Sequence, residues 1–178
     1  MATSKWILDP THSEVQFKVK HLMIATVTGY FKDFNVVAET ADEQFGSVEK
    51  VLFTADVNSV NTNNDQRDTH LKSADFFDAQ NHGEVRFVGT GYTNVHGDEY
   101  ELQGELTIRG ITKPVTVKVE FGGIVVDPYG QTKAGFTING KISRKEFGLT
   151  WNAVTEAGSV VVSDEIKLLA EIQLVKQN

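Results

Sequence analysis

Cysteine is absent from this 178-residue chain, so disulfide scaffolds, Cys-based zinc sites, iron–sulfur clusters and thiol catalysis are excluded. Positive charge is scarce: 17 Lys+Arg stand against 24 Asp+Glu, a formal charge of -7. That balance argues against non-specific binding to nucleic acid or to anionic membrane surfaces, since both require clustered cations. No stretch approaches the ~20 apolar residues of a membrane-spanning helix. The first ten residues carry one cation and no apolar run of signal-peptide length, so the expectation is a chain without an export signal, in the cytoplasm. Only 3 prolines occur, and no Pro- or Ser-rich tract offers a domain boundary, so residues 1–178 are expected to form one domain.

What is present is alternation with a period of two, as half-buried strands show. Val15, Phe17, Val19 and His21 alternate with polar neighbours, and so do Val51, Phe53, Ala55 and Val57. The pattern returns at Val85-Phe87-Gly89-Gly91, Leu102-Gly104-Leu106-Ile108, Val115-Val117-Val119-Phe121, Phe136-Ile138-Gly140-Ile142 and Ile166-Leu168-Ala170-Ile172-Leu174, with a weaker strand over residues 24–39. Turns separate these segments at His96-Gly97-Asp98-Glu99, Gly110 to Pro114 and Asp127-Pro128-Tyr129-Gly130. Short turns between successive strands mean antiparallel pairing, and about eight such strands remove their edges by closing into a barrel. Two stretches lack alternation. Residues 61–77 contain a cap candidate, Asn63-Asn64-Asp65, followed by a short helix, and residues 145–158 read as a loop or short helix.

An eight-stranded barrel is either filled by its own side chains or holds one small ligand. The inward set here combines Phe17, Phe31, Phe34, Phe53, Phe87, Phe121 and Phe136 with Gly89, Gly91, Gly104 and Gly140. Glycines either leave cavity volume or merely let strands bend, and periodicity alone keeps both readings open.

The polar candidates are few. No His pair has metal-ligand spacing, and no nucleophile elbow or complete phosphate loop is present. His96 and His82 fall in turns; His21 falls on the inward face, as a core histidine or a ligand contact. Arg67 and His70 share a helix face in Asp65–Ser73, which is either a polar rim for an anionic or carbonyl head group or a helix pinned by caps and ion pairs. Asp9, Asp68 and Asp75 are carboxylates with no telling spacing, and Lys18, Lys20 and Lys118 read as a solvated outer face.

Taken together, five segments resemble the YceI-like family of polyisoprenoid-binding, lipocalin-like barrel proteins. They are Trp6-Ile7-Leu8-Asp9-Pro10-Thr11-His12-Ser13, Val19-Lys20-His21-Leu22, residues 67–78 from Arg67 to Asp78, residues 104–115 from Gly104 to Val115, and residues 144–152 from Arg144 to Asn152. They occur in the family's order over nearly the whole chain. Departures at His82-Gly83, Tyr129, Lys133 and Ser163 fall in turns and at the rim.

The resemblance implies an all-β, eight-stranded antiparallel barrel with an apolar tunnel for an isoprenoid lipid, isoprenoid quinone or fatty amide. It implies no catalytic cofactor, a homodimer, and, as in many relatives, a periplasmic location as the alternative to the cytoplasm. The expected ligand-binding set is Phe17, Val19, His21, Phe31, Phe53, Arg67, His70, Phe87, Leu106, Ile108, Phe136, Ile138, Phe147 and Trp151, with Arg109 as a further polar candidate. An enzyme using His21 or His70 as acid or base, and a structural or stress-related protein with a filled barrel, are the competing expectations.

Overall fold

A computed structural model describes residues 3–43, 45–152 and 161–177. The described residues form eleven strands: β1 (Ser4–Leu8), β2 (Glu14–His21), β3 (Ala25–Phe31), β4 (Phe34–Thr40), β5 (Val48–Asp56), β6 (Val60–Asn61), β7 (Glu84–His96), β8 (Glu99–Ile108), β9 (Ile111–Val126), β10 (Thr132–Ser143) and β11 (Val162–Lys176). One helix, α1 (Asp65–Lys72), follows β6. All pairings are antiparallel.

The eleven strands trace eight long ones. β1 and β2 both pair with β11 and are separated by the turn Pro10–His12; β3 runs into β4 across Lys32 and Asp33. Likewise β5 and β6 are parted by Val57–Ser59. The barrel closes where Leu8 pairs with Leu174 and Trp6 with Lys176, so the sheet runs β1-β4-β5-β7-β8-β9-β10-β11 and back to β1. The expected eight-stranded antiparallel barrel is therefore the fold.

Local chemistry explains the breaks. Asp9 caps the Pro10–His12 turn by accepting from the Thr11 amide, and Asp56 caps the Val57–Ser59 turn by accepting from the Asn58 amide. Asn64, within the expected cap segment, accepts from the Arg67 amide and starts α1. Asp68 is buried and accepts from both the amide and the hydroxyl of Thr62, which fastens α1 to β6.

Glycines do not simply leave space. Gly29 pairs directly with Phe17 across β2 and β3, and a Cβ on Gly29 would lie 2.1 Å from the tip of that ring. Gly104 is likewise covered by the ring of Phe87, 2.3 Å from where its Cβ would be. The phenyl rings lie flat over bare backbone, as aromatic side chains do when they shield a strand glycine. A register shift between Gly89 and Gly91 corrects the simple alternation of β7: beyond it Tyr92, rather than Gly91, faces Leu102 on the inner side.

Candidate functional site

The barrel encloses a cavity of about 450 Å³, within the usual range of ligand pockets. Its wall is almost wholly apolar, drawn from Val15, Phe17 and Val19 on β2, Phe53 on β5, Phe87 on β7, Leu106 and Ile108 on β8, Phe136 and Ile138 on β10, and Ile166, Leu168, Ala170, Ile172 and Leu174 on β11.

The two ends of the cavity differ. At one end the loop between β4 and β5 folds inward, and Phe45, 3% exposed, stoppers the barrel. Its ring packs at 4.7 Å from both Trp6 and Phe136 and at 6.0 Å from Phe121. Trp6 is fully buried there and donates through Nε1 to the Thr40 hydroxyl. At the opposite end sit α1, the tip of the β2–β3 hairpin and the segment after β10. The exposed lining residues Lys20, His21 and Arg67 lie at this end, which makes it the mouth. The hairpin tip holds Leu22 and Met23 in the left-handed region and leaves Met23 and Ile24 exposed beside that mouth.

All the expected binding residues except Phe147 border the cavity. Phe147 is buried outside it, in the Arg144–Phe147 turn, where it borders a second, outer pocket with Pro114, Val115 and Ile142, because the chain leaves the β10 strand and its parity there. Phe34 and Phe121 pack in the core without lining the cavity. Arg109 is also outside: its guanidinium donates to the carbonyls of Phe76 and Gly148 and ties the end of β8 to the segments beside α1. His21 is exposed at the mouth rather than in the core, and Lys20, expected on the outer face, borders the mouth beside it.

The polar groups around the mouth are largely committed to protein partners. Arg67 donates from Nε to the Thr62 hydroxyl and from Nη2 to the Thr62 carbonyl, both at 2.7 Å. Arg67 thus pins the helix, as one reading of the 65–73 cluster expected, and also borders the opening. His70 Nε2 meets Asp75 at 2.8 Å, and its ring stands edge-on to Trp151 and Phe76 at 4.7 and 5.0 Å. Asp9, Asp68 and Asp75 do not converge. Asp9 lies at the stoppered end, where it meets Thr11, His12 and Lys133. Burial would raise the Asp9 carboxyl, but the hydrogen bonds from Lys133, His12 and Thr11 outweigh it and hold the group well below the ordinary carboxylate range. Among the described residues no group of His, Cys, Asp and Glu could hold a metal ion.

The periodicity overlooks several lining residues. Arg144, 2% exposed, is the largest omission. It follows β10 and donates to the carbonyls of Leu149, Trp151, Ser163 and Val162, so one cation ties the chain at Leu149 and Trp151 to the start of β11. Burial lowers its pKa, and the nearby Asp164 carboxylate counters this. Phe45 was hidden in a polar loop, and Phe76 and Phe77 in the break after α1. The stretch expected as a loop or short helix over 145–158 is a short 3-10 turn (Arg144–Phe147) and then irregular to Asn152; its remainder lies outside the described residues.

Known proteins share this architecture. The model of the YceI-like domain family matches residues 6–174. The Protein YceI of Salmonella newport is 38% identical over 166 residues, covering 93% of this chain and 83% of that protein. The crystal structure of the Campylobacter jejuni YceI protein superposes with a TM-score of 0.77 at 34% identity, covering 96% of this chain and 97% of that one. A polyisoprenoid binding domain from Saccharophagus degradans shares the fold alone, with a TM-score of 0.69 at 14% identity over 97% of this chain and 98% of that domain. From the barrel closed by β1 and β11 to the matched residues 6–174, the chain belongs to the YceI-like domain family.

Proposed function

We propose that this protein binds and carries a long-chain hydrophobic amphiphile, a polyisoprenoid, isoprenoid quinone or fatty amide, without catalysing a reaction on it. The observation that carries this reading is the enclosed apolar cavity of about 450 Å³ with a single polar end. A water occupies about 30 Å³ of liquid, so the cavity accepts on the order of fifteen units of that size, and a methylene is comparable. Each buried methylene contributes about 0.8 kcal/mol, or about fourfold in affinity. A chain of that length offsets the unfavourable entropy of association through burial alone.

The mouth favours an anionic or strongly polar head. Lys20, His21, Arg67, His70 and Arg144 border the cavity, whereas no carboxylate lines it among the described residues, in a chain of net charge -7. The same fold in a domain described as polyisoprenoid binding supports the reading. His70 serves here as a wall of the mouth, held by Asp75, Phe76 and Trp151, rather than as an acid or base. A homodimer completes the proposal, and sedimentation in an analytical ultracentrifuge reads it directly.

The test is native mass spectrometry of the purified protein followed by organic extraction. A retained long-chain amphiphile is expected, and Phe53→Asp or Phe136→Asp should release it from a folded barrel. A protein that emerges empty and rejects prenyl lipids, quinones and fatty amides on titration would overturn the carrier reading.

A further inference from the structure

Phe45 stands outside the strand alternation, in the loop between β4 and β5, yet its ring borders the cavity at the stoppered end. The strand residues beside it there include Ala38, Val48 and Val51, whose short side chains do not reach across the barrel. Behind the Phe45 ring lie Trp6 and Phe121, which pack against it but do not border the cavity. One ring therefore separates the open space from the aromatic cluster beneath it. That ring is fixed from two sides. The Ala41 amide donates to the Ser47 carbonyl at 3.0 Å and closes the neck of its loop. Trp6 is anchored to the same neck, since its Nε1 donates to the Thr40 hydroxyl, which donates in turn to the Asp42 carbonyl. The cavity opens at the other end, so an apolar tail that enters there ends against Phe45.

We propose that Phe45 sets the length of the chain this barrel accepts, as the floor on which the tail of the amphiphile ends. The inference rests on the carrier reading and adds a chain-length class to it. A tail on the order of fifteen carbons lies wholly inside, and each further methylene stays at the mouth in contact with water and adds little. Because Phe45 comes from a loop, its size can change without disturbing the alternation of any strand. Length is thus set by one loop residue, and girth by the side chains of the strands.

The test measures the saturated primary amides from decanamide to icosanamide as displacers of a fluorescent apolar probe, in the full chain, Phe45→Leu and Phe45→Ala. Phe45→Ala removes a phenyl ring, whose place about three methylenes fill at ~30 Å³ each. The length at which affinity levels off should move about three carbons longer in Phe45→Ala and about one carbon longer in Phe45→Leu. At about fourfold per methylene, octadecanamide should gain about sixtyfold on dodecanamide in Phe45→Ala relative to the full chain. Octadecanamide brominated at its terminal carbon should quench Trp6 in Phe45→Ala but not in the full chain, where the Phe45 ring stands between them. Trp151 borders the mouth, away from that carbon in both. Phe45→Leu keeps an apolar side chain among the rings and carries the reading if Phe45→Ala does not fold. A plateau that moves to longer chains, or vanishes because the end has opened, establishes Phe45 as the floor. A plateau at the same length in the folded variants overturns it. A folded full chain that binds neither the amides nor prenyl lipids and quinones would instead overturn the carrier reading itself.

Discussion

Gly29→Ala tests whether the Phe17 ring occupies the place of a missing side chain. The added Cβ would lie 2.1 Å from the tip of the ring and 2.6 Å from its two neighbouring carbons, so the ring must retreat by more than an ångström. It can retreat only toward the cavity, whose wall it already forms beside Phe31 at 5.5 Å. Overpacking of this kind costs about 1–3 kcal/mol. In a Phe17→Ala background the three atoms nearest the new methyl, all carbons of that ring, are gone. Gly29 does not occupy the left-handed region, so alanine fits its backbone. There the substitution should stabilise by about 0.4–1 kcal/mol, through the reduced freedom of the unfolded chain. The sign of the Gly29→Ala effect therefore reverses between the two backgrounds. Urea unfolding followed by far-UV circular dichroism measures both legs of the cycle. The same sign in both would refute the argument that the ring fills the glycine's place. A displaced ring should also shorten the longest chain that the cavity accepts.

Other perturbations bear on separate parts of the molecule. Arg144→Met leaves four carbonyls without their shared donor and should cost about 3–5 kcal/mol, with partial recovery in Arg144→Lys; a loss under about 1 kcal/mol in urea unfolding would show that water replaces the guanidinium. Asp9 has its pKa lowered by folding, so its contribution to stability is complete above the unfolded value of 3.8 and disappears as pH falls below it. Asp9→Asn should accordingly flatten the acid limb of a stability–pH curve, and an equally steep limb would rule out that assignment. Within a homologous series of fatty amides, affinity should rise about fourfold per methylene and level off on the order of fifteen carbons; a rise that continues without a plateau would mean that the chain does not lie inside a closed volume.

Much of the barrel was legible because its signals are local. Alternation in β2, β8 and β11, the turn at Gly97 and the Asn64 cap each depend on a few neighbouring residues, and the inward parity carried Phe17, Leu106 and Phe136 to the cavity wall. The same parity failed where a distant partner intervened. The register shift after Gly89 is imposed by pairing with β8, and it turned Tyr92 inward in place of Gly91. Phe147 kept the apolar pattern but packs outside the cavity, since the turn at Arg144–Phe147 ends the strand's alternation. Phe45, in a polar loop, carries no periodic signal at all, yet it closes the barrel.

By itself, then, the sequence determined the strands other than β1 and β6, the short helix and the antiparallel order, since hydrophobic period and turn chemistry act over a few residues. Only the tertiary structure decided that Trp6 meets Lys176 to close the ring and that the Phe17 and Phe87 rings lie over glycines. It likewise decided that the space between the walls stays open instead of filling. These are contacts between residues far apart in the chain, and whether side chains fill a volume depends on how all eight walls meet.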